Sequence, residues 1–271
     1  MIRLYFYIYI VTFLVLNTKE VYSKDLIDTV IIQSFKYDKY IIHLYYEPYM
    51  FDGSLFAYEN VYERGKEVYY AKDFYTSYDT SWIVDLDKDG NDELVLDFQT
   101  GALMYYYNCL VIFDAQHGPK PLCFVENADL VKDVNGKTKV VSHYRMSPSI
   151  YLAGYSYSLE YKDGKLMLET DPSKSSVLSD LDVDEKSVLE LIEGVDECQT
   201  GPVLTQLEAY CIQKKIIGKP EEGWQLLEKR YNCENKKEIR KLIKESVKES
   251  YNDLLQRDFS FDKRPYKKDD E

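Results

Sequence analysis

Histidine is scarce in this chain: His43, His117 and His143 are the only three in 271 residues. None stands in H-E-x-x-H or H-x-H spacing, so the zinc-hydrolase arrangement has no footing. C-x-x-C is missing too, which removes zinc-ribbon and thioredoxin-type readings. There is no G-x-S-x-G elbow and no P-loop. Basic residues are in deficit, with 34 Lys and Arg against 47 Asp and Glu and a net charge of −13. A protein that grips a nucleic-acid backbone needs a basic footprint, so nucleic acid is excluded as a partner. Gly 12 and Pro 8 are too few for a collagenous or Pro-rich chain. What is abundant is tyrosine, 27 residues, in a chain that is 45% hydrophobic and 30% charged. That composition belongs to a folded protein with a full core.

Long hydrophobic runs are absent except at the start. Arg3 supplies a short positive segment, Leu4 to Leu16 is apolar, and Val21 and Ser23 suit a signal peptidase. The run is shorter than the roughly 20 residues a spanning helix needs. Residues 1–23 are therefore expected to be a signal peptide, with an uncleaved anchor as the alternative. The mature protein is expected to be secreted or periplasmic, with no membrane span. The first cysteine is Cys109, so none stands beside the cleavage site to carry a lipid.

Export makes disulfides plausible. Cys109 and Cys123 flank the loop DAQHGPK and are expected to face each other across a hairpin. Cys198 precedes one predicted helix and Cys233 follows its partner, so these two form a second candidate pair. Cys211 is then the odd thiol, buried mid-helix. The competing reading is that some are simply small core residues.

From Leu26 to Glu169 apolar residues alternate with polar ones, in segments rich in Tyr, Val, Ile and Phe that suit a pleated, half-buried surface. Candidate strands near the middle are Trp82–Leu86, Glu93–Phe98, Met104–Phe113 and Leu122–Glu126, followed by Lys139–Tyr144. Asn135-Gly136 and Asp163-Gly164 are two-residue hairpin turns, since both positions accept positive φ. The period turns helical after residue 183: Asp184 to Glu193, a stripe beginning at Pro202, Glu221 to Tyr231, and Lys236 to Leu255. The expected fold class is α+β. A β-rich antiparallel domain, sandwich or open barrel, fills 24–170. A linker at 171–183 leads to a helical hairpin or three-helix segment at 184–257, and 258–271 is a polar tail.

One segment carries chemistry. Asp85-Leu-Asp87-Lys-Asp89-Gly90-Asn91-Asp92-Glu93 places carboxylates on alternate residues of a tight loop, with Gly90 at the sixth position where the chain turns sharply. Ca²⁺ is a hard cation that takes six to eight oxygens. Candidate ligands are Asp85, Asp87, Asp89, the Asn91 carbonyl and Glu93. An EF-hand needs a bidentate Glu at the twelfth position, but Leu96 stands there, and the flanks alternate like strands. The loop resembles the strand–loop–strand calcium loop of FG-GAP/VCBS-type repeats, over about 20 residues including Ile83-Val84 and Leu94-Val95-Leu96. The resemblance implies a structural Ca²⁺ on those five ligands. The order of Thr100-Gly101-Ala102, Gly223-Trp224 and a closing helix to Tyr251 is similar to secreted or periplasmic bacterial proteins with one such loop and a C-terminal helical hairpin. Asp180-Leu-Asp182-Val-Asp184 also alternates but lacks the glycine, and reads as linker plus helix cap.

No residue set singles out a catalytic centre. The expected function is that of an exported non-enzymatic protein, a binding or envelope-associated module for a protein or glycan, rigidified by Ca²⁺. The alternative is an exported carboxylate-dependent hydrolase, because acidic residues are plentiful.

Overall fold

The computed structural model describes residues 30–48, 55–73, 77–100, 107–146, 153–171, 177, 181–182, 185–191 and 201–263. Residues 1–23, expected to be a signal peptide, the polar residues after 263 and Cys198 lie outside them. Within them the chain makes three successive antiparallel sheets of four strands each. Sheet A is β1 (Val30–Tyr37), β2 (Tyr40–Pro48), β3 (Leu55–Glu63) and β4 (Lys66–Asp73). Sheet B is β5 (Ser77–Val84), β6 (Glu93–Thr100), β7 (Tyr107–Phe113) and β8 (Cys123–Glu126). Sheet C is β9 (Ala128–Lys132), β10 (Thr138–Arg145), β11 (Gly154–Lys162) and β12 (Lys165–Leu168). Within each sheet every pairing joins strands consecutive in sequence, the arrangement that tight turns such as Asn135-Gly136 and Asp163-Gly164 favour. The helices are α1 (Glu185–Leu191), α2 (Gly201–Ile216), α3 (Pro220–Arg230) and α4 (Lys236–Gln256). The α+β, β-rich class expected from the sequence is the class observed.

Sheet B lies at the centre, and its alternation shows why. Leu94, Leu96 and Phe98 of β6, with Cys109, Val111 and Phe113 of β7, pack with Ile42, Leu44 and Val61 of sheet A. Val95, Leu110 and Ile112 point the other way, into a core shared with Tyr155 and Tyr157 of sheet C and with Leu207, Cys211 and Ile212 of α2. A sheet covered on both faces reads as an almost continuous apolar run, which is how Leu94–Phe98 and Cys109–Phe113 look in the sequence.

The helices close the second core. Gly223 of α3 meets α2 so closely that a Cβ there would stand 3.0 Å from the Cα of Cys211. Pro220 opens α3, with Glu221 and Glu222 in its first turn and Lys229 and Arg230 in its last, charges that suit the helix dipole at both ends. The Lys214 ammonium is buried and held by Asp182 and Glu222 at 2.5 and 2.7 Å; burial pulls its pKa down, but these two partners win and it rises. Asp182 also takes Lys219 at 2.5 Å, so this carboxylate of the second acidic stretch ties the linker to α2 and is spent there.

Two expectations need correction. The pair Cys109–Cys123 does not form; both residues are buried thiols. The β7–β8 register sets Cys109 opposite Glu126 and Cys123 opposite Ile112, an offset of three residues. With a period of two, the sulfurs face opposite sides of sheet B. The segment after 257 is also no loose tail from its start. Phe124 N donates to Phe259 O at 2.9 Å and Phe261 N to Leu122 O at 2.8 Å, so the chain closes one antiparallel bridge, Ser260 to Cys123, beside β8. Phe259 enters one core and Phe261 the other.

Candidate metal centre

The hairpin between β5 and β6 carries the acidic loop. Val84 and Glu93 are cross-strand partners that close it. Lys88 and Gly90 have φ of 64° and 93°, the left-handed backbone that turns the chain twice within four residues. Leu86 is buried in the core and anchors the loop from inside.

This geometry gathers the carboxylates of Asp85, Asp87 and Asp89, each with an oxygen within 4.8 Å of the others. Two oxygens on one Ca²⁺, each about 2.4 Å away, are at most about 5 Å apart. The spacing therefore fits one calcium-sized ion. Backbone amides already bond the same carboxylates. Asp89 N donates to Asp85 Oδ1 and Asp87 Oδ1 at 3.2 Å, and Gly90 N to Asp85 Oδ2 at 3.0 Å. Asn91 N and Nδ2 donate to Asp89 Oδ1 at 2.8 and 3.1 Å. The Asn91 amide, with Gln116 at 2.9 Å on Oδ2, holds the Asp89 carboxyl below its usual pKa.

Glu93 stands apart from the three. It is almost fully buried at the start of β6, and its Oε2 accepts the Leu86 amide at 2.7 Å. Burial pushes its carboxyl up to about 8, and the negative charges of Asp87, Asp114 and Asp85 add to the rise. Asn91 is exposed at the loop's rim.

The sequence reading missed the supports around the loop. Tyr37 of sheet A sends its hydroxyl across to sheet B: it donates to Asp92 O at 2.7 Å and accepts the Ala115 amide at 3.0 Å. Asp114, buried, accepts Gln116 N, His117 Nδ1 and the Tyr161 hydroxyl. Gln116 in turn reaches Asp89. The β7–β8 loop thus braces the acidic loop against sheets A and C. The Asp114-Ala-Gln-His117 spacing, an Asx-type turn after an apolar strand, was the one available signal.

Each histidine bonds locally. His43 Nδ1 meets Ser34 Oγ at 2.7 Å, and His143 Nδ1 meets Ser156 Oγ at 2.7 Å. Both pairs sit directly opposite each other in register. Asp129 lies 3.4 Å from His143 Nε2, completing a Ser–His–Asp string, but His143 and Asp129 are both substantially exposed. The same Ser–His pairing recurs in sheet A, where His43 bonds Ser34, and in both sheets it acts as a cross-strand contact.

Among the described residues no helix is long and apolar enough to cross a membrane. No protein-family model matches the chain, and no curated protein matches it.

Proposed function

We propose that this is an exported binding protein whose central sheet is rigidified by one Ca²⁺ in an FG-GAP/VCBS-like loop. The observation that carries this reading is the convergence of Asp85, Asp87 and Asp89 within one ion's span. Asp85, Asp87 and Asp89 would hold the ion, with the Asn91 carbonyl and Glu93 as the further oxygens of the set. The ion supplies charge neutralisation and pins the ends of β5 and β6; no reaction passes through it. A protein or glycan partner fits the acidic surface better than nucleic acid does.

Thermal unfolding in EDTA, Ca²⁺ and Mg²⁺ tests the site. Binding to the folded state alone adds about 2.7 kcal/mol at a hundredfold excess of ligand over Kd. Ca²⁺ is expected to raise the midpoint, Mg²⁺ to raise it less, and Asp87→Asn to abolish the rise. A midpoint indifferent to Ca²⁺ overturns the proposal.

Export finds support in the 1–23 segment and in the cysteines. Cys109, Cys123 and Cys211 are thiols, whereas Cys233 is not among them. We propose that Cys233 pairs with Cys198. Thiol titration of the denatured, unreduced protein is then expected to count the same three cysteines; a count of all five overturns the pairing.

A further inference from the structure

We infer that a cleft beside the acidic loop captures a basic side chain, lysine or arginine, presented by a protein partner. The inference rests on the reading of this chain as a binding protein and names the chemistry of its partner. The cleft has a volume of about 420 Å³ and is walled by three segments: the β1–β2 turn, the acidic loop and the β7–β8 loop, with Ile83 of β5 alongside. Its size falls in the range of ligand sites, roughly 300–1,000 Å³.

The walls are built in advance. The Tyr37 hydroxyl bonds Asp92 O and Ala115 N, which ties all three segments together at one atom. That same engagement argues against a sugar. Tyr37 is the only aromatic residue in the lining and is 5% exposed, so it offers no open ring face on which a glycan would stack.

The open groups are of another kind. Asp38 and Asp92, from two different segments, are exposed, and neither forms an ion pair among the described residues. Lys36 is the single cation in the lining. Ile83 is 60% exposed, a large aliphatic surface beside the cleft. Long basic side chains carry an apolar stem and a charged head. The stem matches Ile83, and the head matches Asp38 and Asp92. The chain's net charge of −13 draws such a group in from solution.

The test uses resonances of the intact protein and Nα-acetyl-arginine methylamide as the probe. Its citrulline analogue, neutral and nearly isosteric, and methyl glucoside are the comparisons. Saturable shifts at Ile83, Gly90 and Asp92 are expected with the arginine compound. Binding is expected to be about tenfold weaker for citrulline and for an Asp38→Asn/Asp92→Asn variant, as the loss of two exposed ion pairs implies. Equal response to citrulline, shifts centred elsewhere, stronger response to the glucoside, or no response overturns the inference. The citrulline comparison needs no variant, so a folding defect cannot mask the answer. Calcium binding is read separately by thermal shift. A chain that takes Ca²⁺ but ignores arginine overturns this inference alone; one that takes arginine but not Ca²⁺ overturns the calcium site alone.

Discussion

The carboxyl of Asp97 is 7% exposed in the middle of β6, and its Oδ1 has no hydrogen-bond partner among the described residues. Burial, with the charges of Asp79 and Asp129, lifts its pKa to about 6, and a hydrogen bond from Asn108 offsets only part of this. In the unfolded chain an Asp titrates near 3.9. The folded state therefore binds the proton more tightly, and stability falls as pH rises from the unfolded value to the folded one. Above that window the ionised Asp97 costs about 3 kcal/mol. Asp97→Asn should be more stable than the natural protein at pH 8, with the gap closing towards pH 4, as read by urea unfolding. A gap that does not change with pH would show that the carboxylate's charge is not the cause. The burial of Asp97 was not readable from its neighbours: in L-V-L-D-F apolar residues fill both faces of the strand, so no alternation tells what surrounds the Asp.

At the scale of elements, what the sequence disclosed depended on how local the cause was. The acidic loop was legible because its cause lies within nine residues: alternate carboxylates, one glycine, and flanking strands. Its braces were not, since Tyr37 and Gln116 reach it from distant sequence. The Cys109–Cys123 expectation failed on parity. The centre of a loop in sequence does not set a hairpin's register, and a three-residue offset moves a side chain to the other face. β9 was not anticipated at all. It begins two residues after β8, where Asn127 takes a φ of 50° and the chain leaves sheet B for sheet C. Asn127 N bonds Asn108 O, and Asn127 O accepts His143 N, so one residue joins the two sheets. Nothing in E-N-A-D-L-V-K marks that change of partner, because it is a consequence of what packs on each side.

Across the whole molecule, sheet B is common property. Its alternate residues belong to two cores, and the C-terminal strap repeats the pattern, Phe259 on one side and Phe261 on the other. Two cores that share a sheet should unfold together, because losing one strips the cover from strands the other depends on. Both tryptophans, Trp82 and Trp224, pack against the core that holds Phe259, so tryptophan emission reports that core alone. Phe261 is 1% exposed in the opposite core. Phe261→Ala should cost about 3–5 kcal/mol. If the cores are coupled through sheet B, the urea midpoint of tryptophan emission falls by as much as that of far-ultraviolet dichroism, although neither indole shares a core with the deleted ring. An unmoved emission midpoint beside an earlier loss of β-sheet signal would mean that sheet A melts separately. In that case a calcium ion in the β5–β6 loop would stabilise only one half of the protein, and Tyr37, which crosses from the other half, would be the bond that fails first.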